Sequence, residues 1–228
     1  MIKFFRRIRY NLMEQNKTGK YFKYAIGEIV LVMIGILLAL QVNTWNESRK
    51  NLILEEEFKI GLKKDLIRDK ESIEFCILNI EQKILAHSIL TTKLPESYET
   101  NKKSLDSVFK VLMQPLVSFF PVSGTFDTAI SSGNISNFNN KELIEKAHFL
   151  YNSKYPRLVY NGELVDERNL KIRDLYVREM RTNQIGTFDS ERLNILLDDI
   201  ERANFGNGFR KSIFVETLQL IDEILNNY

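Results

Sequence analysis

The sequence predicts an all-α protein: a single N-terminal transmembrane helix that continues into a periplasmic antiparallel helical bundle. Three observations lead there. Residues 24–45, YAIGEIVLVMIGILLALQVNTW, form one long apolar stretch, and no charged side chain occurs over positions 29–46. Beyond it, apolar residues recur every three or four positions over several long segments, which is the period of an amphipathic helix. Short alternating strands, internal repeats and low-complexity tracts are absent from the sequence.

At ~1.5 Å per residue the apolar stretch reaches roughly 33 Å, enough to cross a hydrocarbon core of ~30 Å. Before it stand Lys3, Arg6, Arg7, Arg9, Lys17, Lys20 and Lys23 against Glu14. The flank after it is nearly balanced, with Glu47, Arg49, Lys50, Glu55, Glu56, Glu57 and Lys59. Excess Lys and Arg stays cytoplasmic, so the N-terminus is expected inside and the chain after Asn46 outside. Three segments follow: a basic amphipathic tail (1–23), the transmembrane helix (24–46) and a periplasmic helical domain (47–228). The net charge of +2 divides into +5 for residues 1–46 and −3 for the remainder. A mildly acidic external domain argues against nucleic acid as a partner. A cleaved signal peptide is the rival reading. The long basic n-region, an apolar stretch beyond the usual ~7–15 residues and the exit LALQVNTW, which lacks a small-x-small site, all speak against it.

Residues 1–13 read as a short amphipathic helix. Met1, Phe4, Phe5, Ile8 and Leu12 recur at helical spacing, and Lys3, Arg6, Arg7 and Arg9 are expected to contact the inner leaflet. Docking onto a cytoplasmic partner is the alternative. Residues 16–19 make a hinge. A helix is expected over 51–92, with Phe58, Leu62, Leu66, Ile73, Ile77, Ile80 and Ile84 as its apolar stripe. Glu55, Glu56, Glu57, Lys63, Lys64, Asp65, Asp69, Lys70 and Glu71 mark its wet face. No breaker lies between Trp45 and Leu52, so the span should run into this helix as a stalk, ending at a loop around Pro95. The lone Cys76 excludes an internal disulfide. It is expected as a buried small residue of this helix, with an intermolecular disulfide as the alternative.

Ser104 should cap a helix over 105–114 that Pro115 stops. In PLVSFFPVSGTF, Phe119 and Phe120 are expected in the core. A short helix over 126–132 should be closed by Gly133. Asn139 or Asn140 caps the next helix, through Leu143, Ile144, Ala147 and Leu150. Pro156 should kink or interrupt it before it resumes over 158–181. Asp189 caps another, with Leu193, Leu196, Leu197 and Ile200 as its apolar side. The stretch ANFGNGF is read as a turn into a last helix over 209–225.

The opening MIKFFRRIRYNLM, with KTGKYFKYAIGEIVLVMIGILLALQVNTWNESRK after it, resembles that of a family of single-pass membrane proteins of flavobacteria and their relatives. The stretch TAISSGNISNFNNKELIEKAHFLYN is similar to that family's helical external segment. The family is a domain of unknown function. The resemblance implies a Gram-negative host, an inner-membrane anchor and a periplasmic helical domain; it supplies no activity.

No GxSxG, HExxH, CxxC or EF-hand loop occurs. The KTGK at 17–20 lacks the upstream Gly and following Ser/Thr of a P-loop. His87 and His148 are 61 positions apart and read as isolated histidines; a metal site would need the fold to unite them with carboxylates. Glu55, Glu56 and Glu57 diverge by about 100° per residue and read as a solvated face. Asp198-Asp199 and Asp222-Glu223 read the same way. SSGNISNFNN is polar enough for a ligand, yet its Gly, Asn and Ser suit an inter-helix loop. No catalytic, cofactor or metal site is expected.

Inside the span, Glu28 has Gly35 and Ala39 about 20° to either side around the helix and Asn46 in line with it. Gly35 and Ala39 have small-xxx-small spacing, and an intramembrane acid usually faces protein. Glu28, Gly35, Ala39 and Asn46 are therefore expected to form a packing face. The alternative is a shallow Glu28 that snorkels beside small residues common in any span. The leading expectation is an interaction or scaffold protein that contacts the lipid bilayer and pairs with itself or another membrane protein. A second is a periplasmic sensor or relay; with about 23 cytoplasmic residues it needs a separate effector. A third is a cell-envelope enzyme with dispersed carboxylates.

Overall fold

In a computed structural model, the structure describes residues 10, 18–97, 102–114, 117–184 and 187–227. The expected inner-leaflet residues Lys3, Arg6, Arg7 and Arg9 lie outside the described residues. Among the described residues every regular element is helical and none is a strand. The elements are α1 (Thr18–Ser97), α2 (Lys102–Leu112), α3 (Gly124–Ser131), a 3-10 turn (Asn134–Asn137), α4 (Lys141–Phe149), a π turn (Leu150–Lys154), α5 (Tyr155–Leu175), α6 (Val177–Thr182) and α7 (Ser190–Asn227). The chain divides into two units, Met1–Leu54 and Glu55–Tyr228.

In the first unit, α1 contains neither Gly nor Pro between Gly35 and Leu54, so nothing in the backbone interrupts it. All side chains over positions 29–50 are exposed. Among the described residues α1 is the one helix long and apolar enough to cross a membrane. Ile29, Leu31, Met33, Ile36, Leu38, Leu40 and Trp45 all point into the surroundings. Leaving such a run of apolar side chains in water would cost on the order of 20 kcal/mol.

In the second unit, α1 buries Phe58, Leu62, Leu66, Ile73 and Ile80, while Ile77 and Ile84 are half-buried. This is the stripe read from the sequence, and each buried member contributes about 1.5–3 kcal/mol. The helix passes Pro95 and ends at Ser97, so Pro95 sits inside it rather than in a loop. α2 starts and stops before its expected limits, at Leu112. The Lys83 ammonium donates to the Leu112 carbonyl at 3.1 Å and to the Gln114 carbonyl. A cation from α1 thus takes carbonyls that the end of a helix leaves without partners.

α3 ends before Gly133, which takes φ +71°, the left-handed conformation that glycine adopts at little cost. Asn140 is the cap of α4: its Oδ1 accepts the Leu143 N–H at 3.1 Å. Asp189 caps α7 by accepting the Arg192 N–H at 2.8 Å. α5 and α7 run antiparallel. Lys154 meets Glu216 at 3.1 Å, the Arg168 guanidinium reaches the Arg202 carbonyl at 3.3 Å, and the Tyr176 hydroxyl reaches Asp199 at 2.9 Å. One end of the bundle is closed by a cluster that includes Leu90, Phe109, Leu112, Tyr176, Leu196 and Ile200.

Further expectations fail here. Phe119 is buried, but Phe120 is exposed, in a stretch that forms neither helix nor strand. ANFGNGF is not a turn: α7 runs unbroken from Ser190 to Asn227. Gly206 is buried, and a Cβ there would lie 3.3 Å from Val165 Cγ2. The glycine lets α5 approach α7 within one straight helix, and packing overrides its weak helix propensity.

Candidate functional site

The connection from α2 to α4 holds α3 and the 3-10 turn, joined by irregular chain that includes Phe119 and Pro121. Its backbone N–H groups need acceptors, and three carboxylates on one side of α1 supply them. Glu55 accepts the Asn139 N–H at 2.8 Å and the Asn140 N–H at 2.9 Å. Asp65 accepts the Thr125 N–H at 3.2 Å, and Asp69 accepts the Val122 N–H at 2.9 Å. Glu55, Asp65 and Asp69 are buried, which corrects their placement on the wet face. Carboxylates pointing inward are stabilised by donors that a loop cannot satisfy internally. Gly61 belongs to the same device. A Cβ there would come within 2.8 Å of the Thr125 side chain, so its absence lets the loop lie against α1.

Opposite α1, the π turn precedes Pro156. The Tyr155 N–H bonds to the Leu150 carbonyl, five residues back. Pro156 has no N–H to continue the regular ladder, and the wider turn absorbs it without a break. Tyr151 and Tyr155 project from this turn. The Tyr151 hydroxyl donates to the Val122 carbonyl at 3.0 Å and the Tyr155 hydroxyl to Asp69 Oδ2 at 2.6 Å. Phe126 stacks on Tyr151 at 4.5 Å between centroids, and Tyr155 meets Tyr151 edge-on at 5.1 Å. Burial pushes the Asp69 carboxyl above its ordinary value, and the Tyr155 and Val122 donors only partly offset it. Burial and the neighbouring carboxylates drive both tyrosine hydroxyls far up, so they act as neutral donors.

Over this network opens a cleft of about 440 Å³, lined by Pro121, Ser123, Phe126, Asp127, Tyr151, Asn152, Tyr155, Pro156 and Val159. A cleft of that size beside ionisable groups with shifted pKa values is the usual form of a binding site. Sequence reading missed it. The available signal was the spacing of Tyr151, Tyr155 and Pro156 beside a loop rich in Pro and Gly.

A second polar feature lies between α5 and α7. Arg210 is 2% exposed; its Nη1 lies 3.7 Å from Asp166 Oδ1, and its Nη2 reaches the Val117 carbonyl at 3.4 Å. The guanidinium crosses over Gly162, where a Cβ would meet Nη2 at 3.0 Å. Both side-chain polar atoms of Asn207, Nδ2 of Asn169 and Nε of Arg210 have no hydrogen-bond partner in the protein. Burial pulls the nearby Lys83 ammonium down to about 8. Cys76 is buried and free, as expected, and its thiol faces the Val117 carbonyl at 3.5 Å.

The remaining expected features are scattered. His87 pairs with Glu201 at 2.7 Å, whereas His148 pairs with Asn152 at 3.0 Å. Among the described residues no group of His, Cys, Asp and Glu is placed to hold a metal ion. Asp199, read as solvated, is buried and accepts from Tyr176. Of the proposed packing face, Gly35, Ala39 and Asn46 are exposed and Glu28 is half-buried. Apart from the adjoining backbone of its own helix, nothing among the described residues lies within 4 Å of the place a Gly35 Cβ would occupy.

Glu55 makes a pH prediction. Burial raises its pKa, but the Asn139 and Asn140 N–H groups, together with Lys59, outweigh that and hold it below its ordinary 4.5. A depressed folded pKa gives stability that is present above the unfolded value and lost as pH falls through the folded one. Acid denaturation of Glu55→Gln should therefore show a flatter loss of stability below about pH 4.5 than wild type. An unchanged acid limb would mean that the carboxylate is not clamped.

The fold and these features define a class: an all-α protein with one candidate membrane-spanning helix and a helical unit that holds a small cleft. The chain matches the family of unknown function DUF6090 over residues 28–210, and it belongs to that family. No curated protein and no solved structure matches it.

Proposed function

We propose that the protein is a non-catalytic, membrane-anchored helical interaction protein. In this reading α1 crosses a bacterial inner membrane, the N-terminus is cytoplasmic, and the unit Glu55–Tyr228 is periplasmic. One observation carries it: the apolar side chains over positions 29–45 are exposed on every side of α1. A helix apolar all round requires an apolar surrounding. Lys17, Lys20 and Lys23 before the run favour this orientation, and the resemblance to flavobacterial single-pass proteins favours a Gram-negative inner membrane. The partner is a second copy or another membrane protein, met along Glu28, Gly35, Ala39 and Asn46.

Cross-linking of the intact protein in native membranes, with a periplasm-specific reporter after Tyr228, tests the reading. The reporter should be active. Gly35→Leu should lose the cross-linked species, because a bulky side chain separates the helix backbones. Leu37→Ala, about 200° around the helix from Gly35, should retain it. Activity of a cytoplasmic reporter alone would overturn the orientation. Equal cross-linking of both variants and wild type would reduce the span to an anchor. The cleft favours a second reading, a periplasmic sensor acting through a separate effector.

A further inference from the structure

We propose that the cleft beside the π turn binds a small organic cation, an ammonium group carried on an aryl or alkyl body. The cleft lies wholly within the unit Glu55–Tyr228, so the proposal holds whichever way the anchor faces. Size is the first argument. A volume of about 440 Å³ falls in the ~300–1,000 Å³ range of small-molecule sites. A protein partner would instead need a surface of ~800 Å².

Charge is the second argument. Among the lining residues, Asp127 alone carries a formal charge. It is exposed at the mouth, and its Oδ2 accepts the Ser123 hydroxyl at 2.6 Å. Asp65 is buried against the Thr125 N–H, and its charge, like those of Asp69 and Asp127, bears on the Tyr151 hydroxyl of the lining. The basic side chains next along the chain are engaged elsewhere. Lys154 pairs with Glu216 and lies over the Phe149 ring, and Arg157 lies over the Phe209 ring. The cleft therefore presents negative charge that no lining cation offsets.

The wall chemistry completes the match. Pro121, Phe126, Pro156 and Val159 offer hydrocarbon to the body of the ligand. Asn152 uses Nδ2 on His148 Nδ1, which leaves its carbonyl oxygen to accept from an ammonium N–H. Asp127 supplies the counter-charge.

The test uses the full-length protein in lipid nanodiscs, titrated calorimetrically with phenethylammonium and with phenethyl alcohol as the uncharged control. Saturable one-site binding of the amine is expected, with the alcohol at least about tenfold weaker. Asp127→Asn should weaken the amine about tenfold, and added salt should weaken it further. Val159→Trp, at a half-buried position, should fill the cleft and abolish binding while the helical circular dichroism is retained. Equal binding of amine and alcohol would overturn the proposal. So would the absence of saturable binding, or amine binding that survives Val159→Trp in a folded protein.

Discussion

Asp69→Ala is expected to destabilise the helical unit by about 3–5 kcal/mol. The carboxylate is fully buried and accepts the Tyr155 hydroxyl at 2.6 Å and the Val122 N–H at 2.9 Å. Removing it strands the buried Tyr155 hydroxyl and the half-buried Val122 N–H and leaves a void between α1, the loop and the π turn. Tyr155→Phe removes one donor and keeps the ring, so its cost should be smaller, about 1.5–3 kcal/mol. The double variant should lose less than the sum, because both substitutions break the same bond. Glu71→Ala, on the exposed side of α1, should change stability by less than about 0.5 kcal/mol. Denaturation of the full-length protein in detergent reads all four. An Asp69→Ala variant as stable as Glu71→Ala would show that the loop is not held by this carboxylate. The pH dependence of Asp69 has the opposite sign to that of Glu55. Its folded pKa is raised, so the folded state holds the proton more tightly, and this contribution is lost as pH rises through the folded value.

The two glycines of ANFGNGF should respond in opposite directions. Gly206→Leu is expected to cost about 1–3 kcal/mol. Its first added carbon already lies 3.3 Å from Val165 Cγ2, and Val165 is β-branched and stiff. Gly208→Ala should stabilise by about 0.5–1 kcal/mol. That position is exposed, nothing lies within 4 Å of the added carbon, and its backbone is helical. A turn would reverse the second result, because a glycine with positive φ resists a side chain. Thermal denaturation of the two single variants distinguishes a continuous α7 from a broken one. A destabilised Gly208→Ala would contradict the helix.

Much of the fold was written in local patterns. The all-α class follows from periodicity and from the lack of alternating strands. The exposed apolar run of α1 follows from composition alone. Asn140, Asp189 and Gly133 were legible because capping is decided within a few residues of the helix end. The stripe from Phe58 to Ile80 was legible because burial on one side of a helix repeats with its turn. Tertiary structure decided what depends on a distant partner. Glu55, Asp65 and Asp69 look like solvated charges until the loop that needs their oxygens is placed against them. Asp199 looks exposed until the Tyr176 hydroxyl arrives from α5's end. Gly206 looks like a turn residue until α5 is laid across it, and Phe120 looks like core until its neighbour Phe119 takes that place. The cleft was hidden for the same reason. Its walls come from the loop after α2, from α3, from the π turn and from α5, and sequence spacing cannot report the gap that remains when such elements pack. Sequence determines which local structures form and which stretch is apolar all round. Only the packed chain decides which polar groups must turn inward to satisfy a backbone that cannot satisfy itself.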